Sequence, residues 1–91
     1  MKIGRKIEKK LSGSLEIPRE LISDVPKITL TGRDNLLIEN YKSLVEYEKD
    51  IIRINTSEGL LKLEGGELDI KTVTDEMMEI SGKITSISYE L

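Results

Sequence analysis

Carboxylates are the only side chains in this sequence whose type and spacing suggest acid–base chemistry. Glu46, Glu48 and Asp50 stand at alternate positions, and Asp75 and Glu76 are adjacent further along the chain. Two carboxylates on one face of a strand can act as acid and base when an apolar pocket raises the pKa of one of them. Carboxylates on a strand edge more commonly stay solvated and keep that edge from aggregating. We therefore expect a solvated edge and no enzyme.

Composition excludes most other catalytic chemistry. The 91 residues contain no Cys, His, Trp or Phe, so thiol and imidazole chemistry and the commonest zinc ligands are absent. Gly65 and Gly66 are not followed by the helix pattern and the Lys-Ser/Thr pair that a phosphate-binding loop requires. The carboxylates between Asp69 and Glu76 lack the alternating order of a calcium loop. We expect no catalytic residue, no metal and no cofactor.

The amino-terminal segment has the strongest charge asymmetry in the chain. Residues 1–11 carry a net charge of +4 and residues 12–91 a net charge of −7. Three apolar residues recur at every fourth position, which places them on one stripe of a helix. The segment is either a basic amphipathic helix that touches an anionic membrane surface or a solvated leader, since so short a helix is marginal in water. The residues of this candidate membrane-surface segment are Lys2, Ile3, Arg5, Lys6, Ile7, Lys9, Lys10 and Leu11.

The organisation of the chain follows from its length and its punctuation. A chain of this length makes one domain. Ser12, Gly13 and Ser14 end the basic segment, so we predict a leader over residues 1–14, helical or disordered, and a single β domain over residues 15–91. No secretory signal and no stretch long enough to cross a membrane is visible in the sequence. We therefore expect a cytoplasmic protein. Nucleic-acid binding is not expected, because the β domain is acidic and has no aromatic stacking platform.

Short apolar alternations separated by turn residues favour strands from residue 27 onward. Connections this short fit antiparallel hairpins and exclude parallel crossovers. The fold class is therefore all-β, a small antiparallel sandwich or roll of about seven or eight strands. The predicted strands are Lys27 to Thr31, Asn35 to Glu39, Ser43 to Glu48, Ile51 to Ser57, Leu60 to Glu64, Glu67 to Val73, Met77 to Ser81 and Lys83 to Tyr89.

Alternation along these strands also predicts which side chains face the core. The core-facing residues are Ile28, Leu30, Leu36, Ile38, Ile52, Ile54, Leu61, Leu63, Leu68, Ile70, Met78 and Ile80. Five apolar residues are left for the opposite face, namely Leu37, Ile51, Leu60, Val73 and Met77. They are either scattered exposed side chains, which are ordinary, or a patch through which the protein forms a homodimer or a larger homo-oligomer.

The order of strand cores and turn glycines resembles the YabP/YqfC family of small sporulation proteins, and its YqfC branch in particular. Matching segments are Pro18, Asp24 to Leu30 with Gly32, Leu36 to Tyr41, Tyr47, Ile52 to Gly59, Leu63 to Gly65 and Ile80 to Ile84. The resemblance covers about three-quarters of the chain. Its motifs are structural, so they identify a family better than a site.

The resemblance implies an immunoglobulin-like β-sandwich without enzymatic activity. It also implies a protein made in the mother cell of an endospore-forming bacterium, needed for spore development and encoded beside a membrane protein with which it works. Together with the residues, it predicts an interaction module that self-associates and binds a membrane protein of the same pathway, with weak peripheral contact to the membrane. The alternative is a β-sandwich that binds a small ligand or carbohydrate, for which only Tyr41, Tyr47 and Tyr89 offer an aromatic platform.

Overall fold

The computed structural model describes residues 25–90, and these form six β-strands and no helix. All neighbouring strands are antiparallel and belong to one sheet, in the order β1-β2-β6-β5-β4-β3. The strands are β1 (Lys27–Thr31), β2 (Asn35–Glu39), β3 (Ser43–Tyr47), β4 (Ile51–Thr56), β5 (Gly59–Val73) and β6 (Met77–Glu90). The all-β antiparallel prediction is confirmed. The predicted leader, residues 1–14, lies outside the described residues.

Strands β5 and β6 each replace two of the predicted strands. The expected turns at Gly65-Gly66 and Gly82 are instead kinks, and the backbone continues through them as strand. A β-carbon on Gly65 would overlap the carbonyl oxygen of Lys83, and one on Gly82 would lie 2.6 Å from the carbonyl oxygen of Glu67. Glycine therefore serves here to let two bent strands approach closely, not to reverse the chain. Six strands, of which two are long, take the place of the expected seven or eight.

The kinks bend the sheet back on itself. Tyr47 of β3 pairs with Ile52, which pairs with Leu63 of β5. In a flat sheet Ile70 would lie roughly 20 Å further along β5, at about 3.3 Å per residue. The backbone N–H of Ile70 nevertheless donates to the Tyr47 hydroxyl at 3.0 Å, and the N–H of Leu68 donates to the carbonyl of Lys49 at 2.8 Å. The far half of β5 therefore folds over towards the β3–β4 hairpin.

A matching contact forms on the other side of the sheet. The backbone N–H of Ile84, beyond the kink in β6, donates to the carbonyl of Arg33 in the β1–β2 turn at 2.9 Å. The N–H of Gly82 donates to the carbonyl of Asp34 at 3.3 Å. Each long strand thus meets the turn of a short hairpin where it bends.

The core lies on the inner face of this bent sheet. Nine of the twelve predicted core residues are buried, which confirms the alternation used to assign the faces. Ile28 and Ile70 are only half-buried, and Leu30 is 44% exposed because β1 is an edge strand. Beyond the predicted set, Ile84 is buried as well. The buried apolar residues are Leu36, Ile38, Ile52, Ile54, Leu61, Leu63, Leu68, Met78, Ile80 and Ile84.

Candidate interaction surface

A network of charged side chains covers the outer face of β3, β4, β5 and the far part of β6. Arg53 lies at its centre: Nε donates to Oε1 of Glu90 at 2.9 Å and Nη2 donates to Oε2 at 3.2 Å, a two-pronged ion pair. The Nη1 group of Arg53 also donates to Glu46 on the neighbouring strand. Lys62 lies 3.8 Å from Glu90 and 3.9 Å from Glu64. Planar guanidinium geometry makes such bidentate pairs the stronger kind of surface ion pair.

The network sets the ionisation of its members. Hydrogen bonds from Arg53, followed by the charges of Arg53 and Lys62, hold the pKa of Glu90 below its ordinary value of 4.5 despite partial desolvation. Hydrogen bonds to Glu90 and Glu46 raise the pKa of Arg53. Glu90 therefore stays charged to lower pH than an isolated glutamate, so its ion pair with Arg53 persists across the neutral range.

The carboxylates that suggested acid–base chemistry are placed apart by this arrangement. Glu46 faces Arg53 across β3 and β4 after a register shift between Leu44 and Glu46. Glu48 lies beyond the end of β3, where its backbone N–H donates to the carbonyl of Ile51 at 2.8 Å. Strand alternation had placed Glu46 and Glu48 on one face, but the strand ends between them, at Tyr47.

The bent sheet has two seams, one where the far half of β5 meets the β3–β4 hairpin and one where β6 bends past the β1–β2 turn, and they differ in how they are closed. On one side Tyr47 bridges from β3 to the far half of β5: its hydroxyl donates to Oδ1 of Asp69 at 3.0 Å and accepts from the N–H of Ile70 at 3.0 Å. Lys71, 3.2 Å from Asp69, and the Tyr47 hydroxyl lower the pKa of that carboxyl. Side-chain bonds therefore close this seam.

On the other side, the far part of β6 leaves an open backbone edge. From Ser86 to Glu90 this strand has β5 as its only strand neighbour among residues 25–90. Ser88 and Tyr89 are exposed, and Tyr89 keeps 41% of its surface although it pairs with the buried Leu61. An unpaired strand edge of this kind can accept another strand through backbone hydrogen bonds.

The five apolar residues predicted to form an interface do not gather into one patch. Leu37 and Met77 lie near each other on the outer face of β2 and β6, where Leu37 pairs with Glu79 and Met77 with Glu39. Ile51 and Leu60 lie on the outer face of β4 and β5, and the charged pair Arg53 and Lys62 stands between them in the register. These four residues therefore lie in two separate places on the outer face.

Val73, the fifth member, is 56% exposed and pairs with the buried Met78. It therefore shares the inner face at the end of β5, whereas alternation had placed it on the outer face. A register shift between Ile70 and Thr72 inserts one residue and reverses the alternation beyond it.

The tyrosines that would serve a ligand-binding module are dispersed. The Tyr41 hydroxyl donates to the carbonyl of Thr74 at 2.5 Å, Tyr47 closes the seam on β5, and Tyr89 pairs with Leu61 near the carboxyl end of β6. A cleft of about 520 Å³ lies at the β1–β2 turn and the kink of β6, and it is lined by Arg33, Asp34, Lys83, Ile84 and Thr85. The arrangement gives little support to an aromatic platform.

Residues 25–90 contain no group of three or more carboxylates placed to hold a metal ion. They also contain no helix long and apolar enough to cross a membrane. The candidate membrane-surface residues, from Lys2 to Leu11, lie outside the described residues.

The Arg53 network and the open β6 edge escaped the sequence reasoning. A signal for part of the network was present, because Arg53 and Lys62 alternate with buried residues on β4 and β5. Which of these charges meet depends on strand order and register, and neither is written locally in the sequence. The open edge could be recognised only from the structure, because it exists where the pairing of β2 with β6 stops at Ser81.

Comparison with known proteins agrees with the resemblance found in the sequence. Residues 23–91 match the YabP family. The chain is 30% identical over 79 residues to the uncharacterized protein YqfC of Bacillus subtilis (strain 168), an alignment that covers 87% of this chain and 85% of the relative. No solved structure matches the chain. From the extent of both sequence matches, we conclude that this chain belongs to the YabP/YqfC family.

Proposed function

We propose that this protein is a non-enzymatic interaction module of spore formation, which self-associates and binds a membrane protein in the mother-cell cytoplasm. Its family points to a sporulation-related protein. The observation that carries the interaction role is the open backbone edge of β6, where Ser86 to Glu90 pair only with β5 among the described residues. Backbone groups at such an edge supply affinity, and alternate side chains select the partner.

Two further features support an interaction role over catalysis. Arg53 forms ion pairs with Glu46 and Glu90, so these two carboxylates are already paired with a cation and are poorly placed to act as an acid and a base. The buried apolar residues come from β2, β4, β5 and β6 and pack into one cluster on the inner face of the bent sheet. This supports the finer proposal of a sandwich-like, immunoglobulin-like module whose surface, not its interior, carries the function.

The test of the membrane-protein partner is co-purification from sporulating cells of the source bacterium. Tagged protein is captured from detergent-solubilised membranes at the stage when the mother cell is active. We expect a membrane protein in the eluate. An eluate without any membrane protein, from cells that need this protein to form spores, would contradict the partner. Turnover of a spore-wall substrate by the purified protein would contradict the non-enzymatic role.

The basic leader gives a second, peripheral contact in this proposal. Its cations are attracted to anionic lipid, whereas residues 12–91, with a net charge of −7, are repelled. Only cations almost at the surface count, because the screening length at physiological salt is about 8 Å. We expect salt-sensitive sedimentation with anionic vesicles that Ile3→Asp with Ile7→Asp abolishes. Unchanged sedimentation of that variant would leave recruitment to the β domain.

A further inference from the structure

The far part of β6 is the least protected edge of the sheet. The segment Ile84 to Tyr89 reads Ile-Thr-Ser-Ile-Ser-Tyr, the longest run without a charged residue in the chain, and it has no Pro or Gly. Natural proteins protect exposed edges with charges, Pro or bulges. The register shift between Glu64 and Gly65 leaves Thr85 as a bulge at the start of this stretch, and from Ser86 to Tyr89 the strand carries none of these devices. An exposed run of high β-propensity without them readily pairs with another strand.

The other three edges carry such devices. Strand β1 begins with Lys27 directly after Pro26. Strand β3 has a register shift before Glu46. The far half of β5 is bridged by the Tyr47 hydroxyl and bears a charged pair, Asp69 and Lys71. Among the edges formed by residues 25–90, this contrast leaves the far part of β6 as the one available for pairing.

The charge of the chain indicates which partner pairs with the β6 edge. Residues 25–90 carry eight basic and thirteen acidic side chains, so two copies repel one another over most of their surfaces. A contact between copies is favoured where charge is absent, and the uncharged run of β6 is that place. A basic partner would gain more from the acidic surfaces elsewhere.

We propose that β6 pairs antiparallel with β6 of a second copy about a two-fold axis at Ser88, joining the two sheets into one. This names the surface for the self-association in the proposed function and rests on it. In this register Tyr89 stands opposite Ile87 of the second copy, on the inner face, and the pair occurs twice by symmetry. Aromatic and β-branched side chains are favourable cross-strand partners.

The same register avoids a clash of charge. Glu90 stands opposite Ser86 of the second copy and is already paired with Arg53 and Lys62. The two Glu90 residues are four positions apart along the strands, about 13 Å. That distance exceeds the screening length of about 8 Å at physiological salt.

The first experiment introduces charge at the axis. Ser88→Lys or Ser88→Glu places like charges opposite each other across the two-fold axis, so each variant should dissociate at least roughly tenfold more readily than the parent chain. Mixing the two variants should restore the pair, because opposite charges then face each other. Ser43→Lys and Ser43→Glu are the matched controls, since Ser43 is an exposed serine on the opposite edge strand, β3. The readout is sedimentation velocity of the full chain across micromolar concentrations.

The second experiment uses the absence of cysteine from the chain. Ser88→Cys should oxidise to a covalent dimer, because residues directly opposite in antiparallel strands have Cα atoms about 4.5–5.5 Å apart, within disulfide reach. Ser86→Cys, four positions from its copy in this register, should not cross-link, and neither should Ser43→Cys. The conservative change keeps the test valid if a charged variant fails to fold.

The outcomes separate this inference from the function on which it rests. A parent chain that is monomeric throughout overturns both the self-association and the β6 pairing. A dimer that persists in Ser88→Lys, with no cross-linking of Ser88→Cys, overturns the β6 pairing alone and leaves self-association through another surface. Cross-linking of Ser86→Cys as fast as that of Ser88→Cys overturns the register.

Discussion

The adjacent glycines at the kink of β5 offer the sharpest test of how this sheet bends. Gly65→Ala would place a methyl group on the carbonyl oxygen of Lys83, whereas Gly66→Ala meets nothing within 4 Å. The two changes are identical in chemistry and one residue apart. Because the obstacle at Gly65 is backbone, no side-chain rotation relieves it, and β5 and β6 must separate at the kink.

The magnitude follows from what that separation disrupts. Gly65 pairs with Ile84, so separating β5 from β6 at the kink breaks ladder hydrogen bonds between these two strands, each worth about 0.5–1.5 kcal/mol. Ile84 is 7% exposed, and withdrawing it partly from the core costs about 1–2 kcal/mol more. We expect Gly65→Ala to lower the free energy of unfolding by about 3 kcal/mol, a large part of the 5–15 kcal/mol typical of a domain. Gly66→Ala should be neutral or stabilise by about 0.4–1 kcal/mol, because it restricts the unfolded chain.

Urea unfolding followed by far-ultraviolet circular dichroism measures the difference. With a slope near 1 kcal/mol/M, typical of a small protein, the two midpoints should differ by roughly 3 M. Equal slopes are required for the comparison, since a changed slope means a changed native or unfolded state. If both variants unfold within about 0.5 kcal/mol of each other, the close approach of β5 and β6 at Gly65 is not what bends the sheet, and the reasoning fails.

Two side-chain changes test the polar contacts of the same fold. Tyr47→Phe removes the hydroxyl that binds Asp69 and the N–H of Ile70. We expect the free energy of unfolding to fall by about 1 kcal/mol and hydrogen exchange at the Ile70 amide to become faster. Unchanged exchange would mean that β5 folds over β3 without this bridge. Arg53→Met removes the main group that lowers the pKa of Glu90, so an NMR titration should show that pKa rising towards its ordinary value of 4.5. A carboxyl whose pKa is lower in the folded state stabilises the fold at pH values above its unfolded-state pKa, and this stabilisation is lost as pH falls through its folded-state pKa. The difference in unfolding free energy between the parent and Arg53→Met should therefore be constant near neutral pH and narrow below about pH 4.5. A difference that does not change with pH would mean that Arg53 stabilises the fold through packing.

Local pattern was enough to predict the short hairpins. Strands β1 and β2 have the predicted bounds, and β3 and β4 each end one residue earlier than predicted. Alternation also selected the core face, because a strand with one buried face must repeat its apolar residues with a period of two. Ile52 and Ile54 on β4, both fully buried, are examples.

The period of two fails wherever a strand gains a residue. At Val73 the register shift after Ile70 reverses the faces, and the sequence carries no local mark of it. Gly65 and Gly82 show that a glycine's role could not be predicted from local sequence either. A glycine that permits a turn and a glycine that permits close strand contact are the same residue, and only the neighbouring strand distinguishes them.

Sequence alone determined the strand-rich composition, the absence of thiol and imidazole chemistry, the charge asymmetry of residues 1–11 and the family to which the chain is similar. These follow from residue types and short-range spacing. The tertiary structure decided which strands are long, which charges meet Arg53, and that the uncharged residues Ser86 to Tyr89 lie on an edge that is open among residues 25–90. Such features depend on contacts between residues far apart in the chain: Arg53 and Glu90 are separated by 37 positions. Their meeting is set by the order and register of strands between them, which local preferences do not encode.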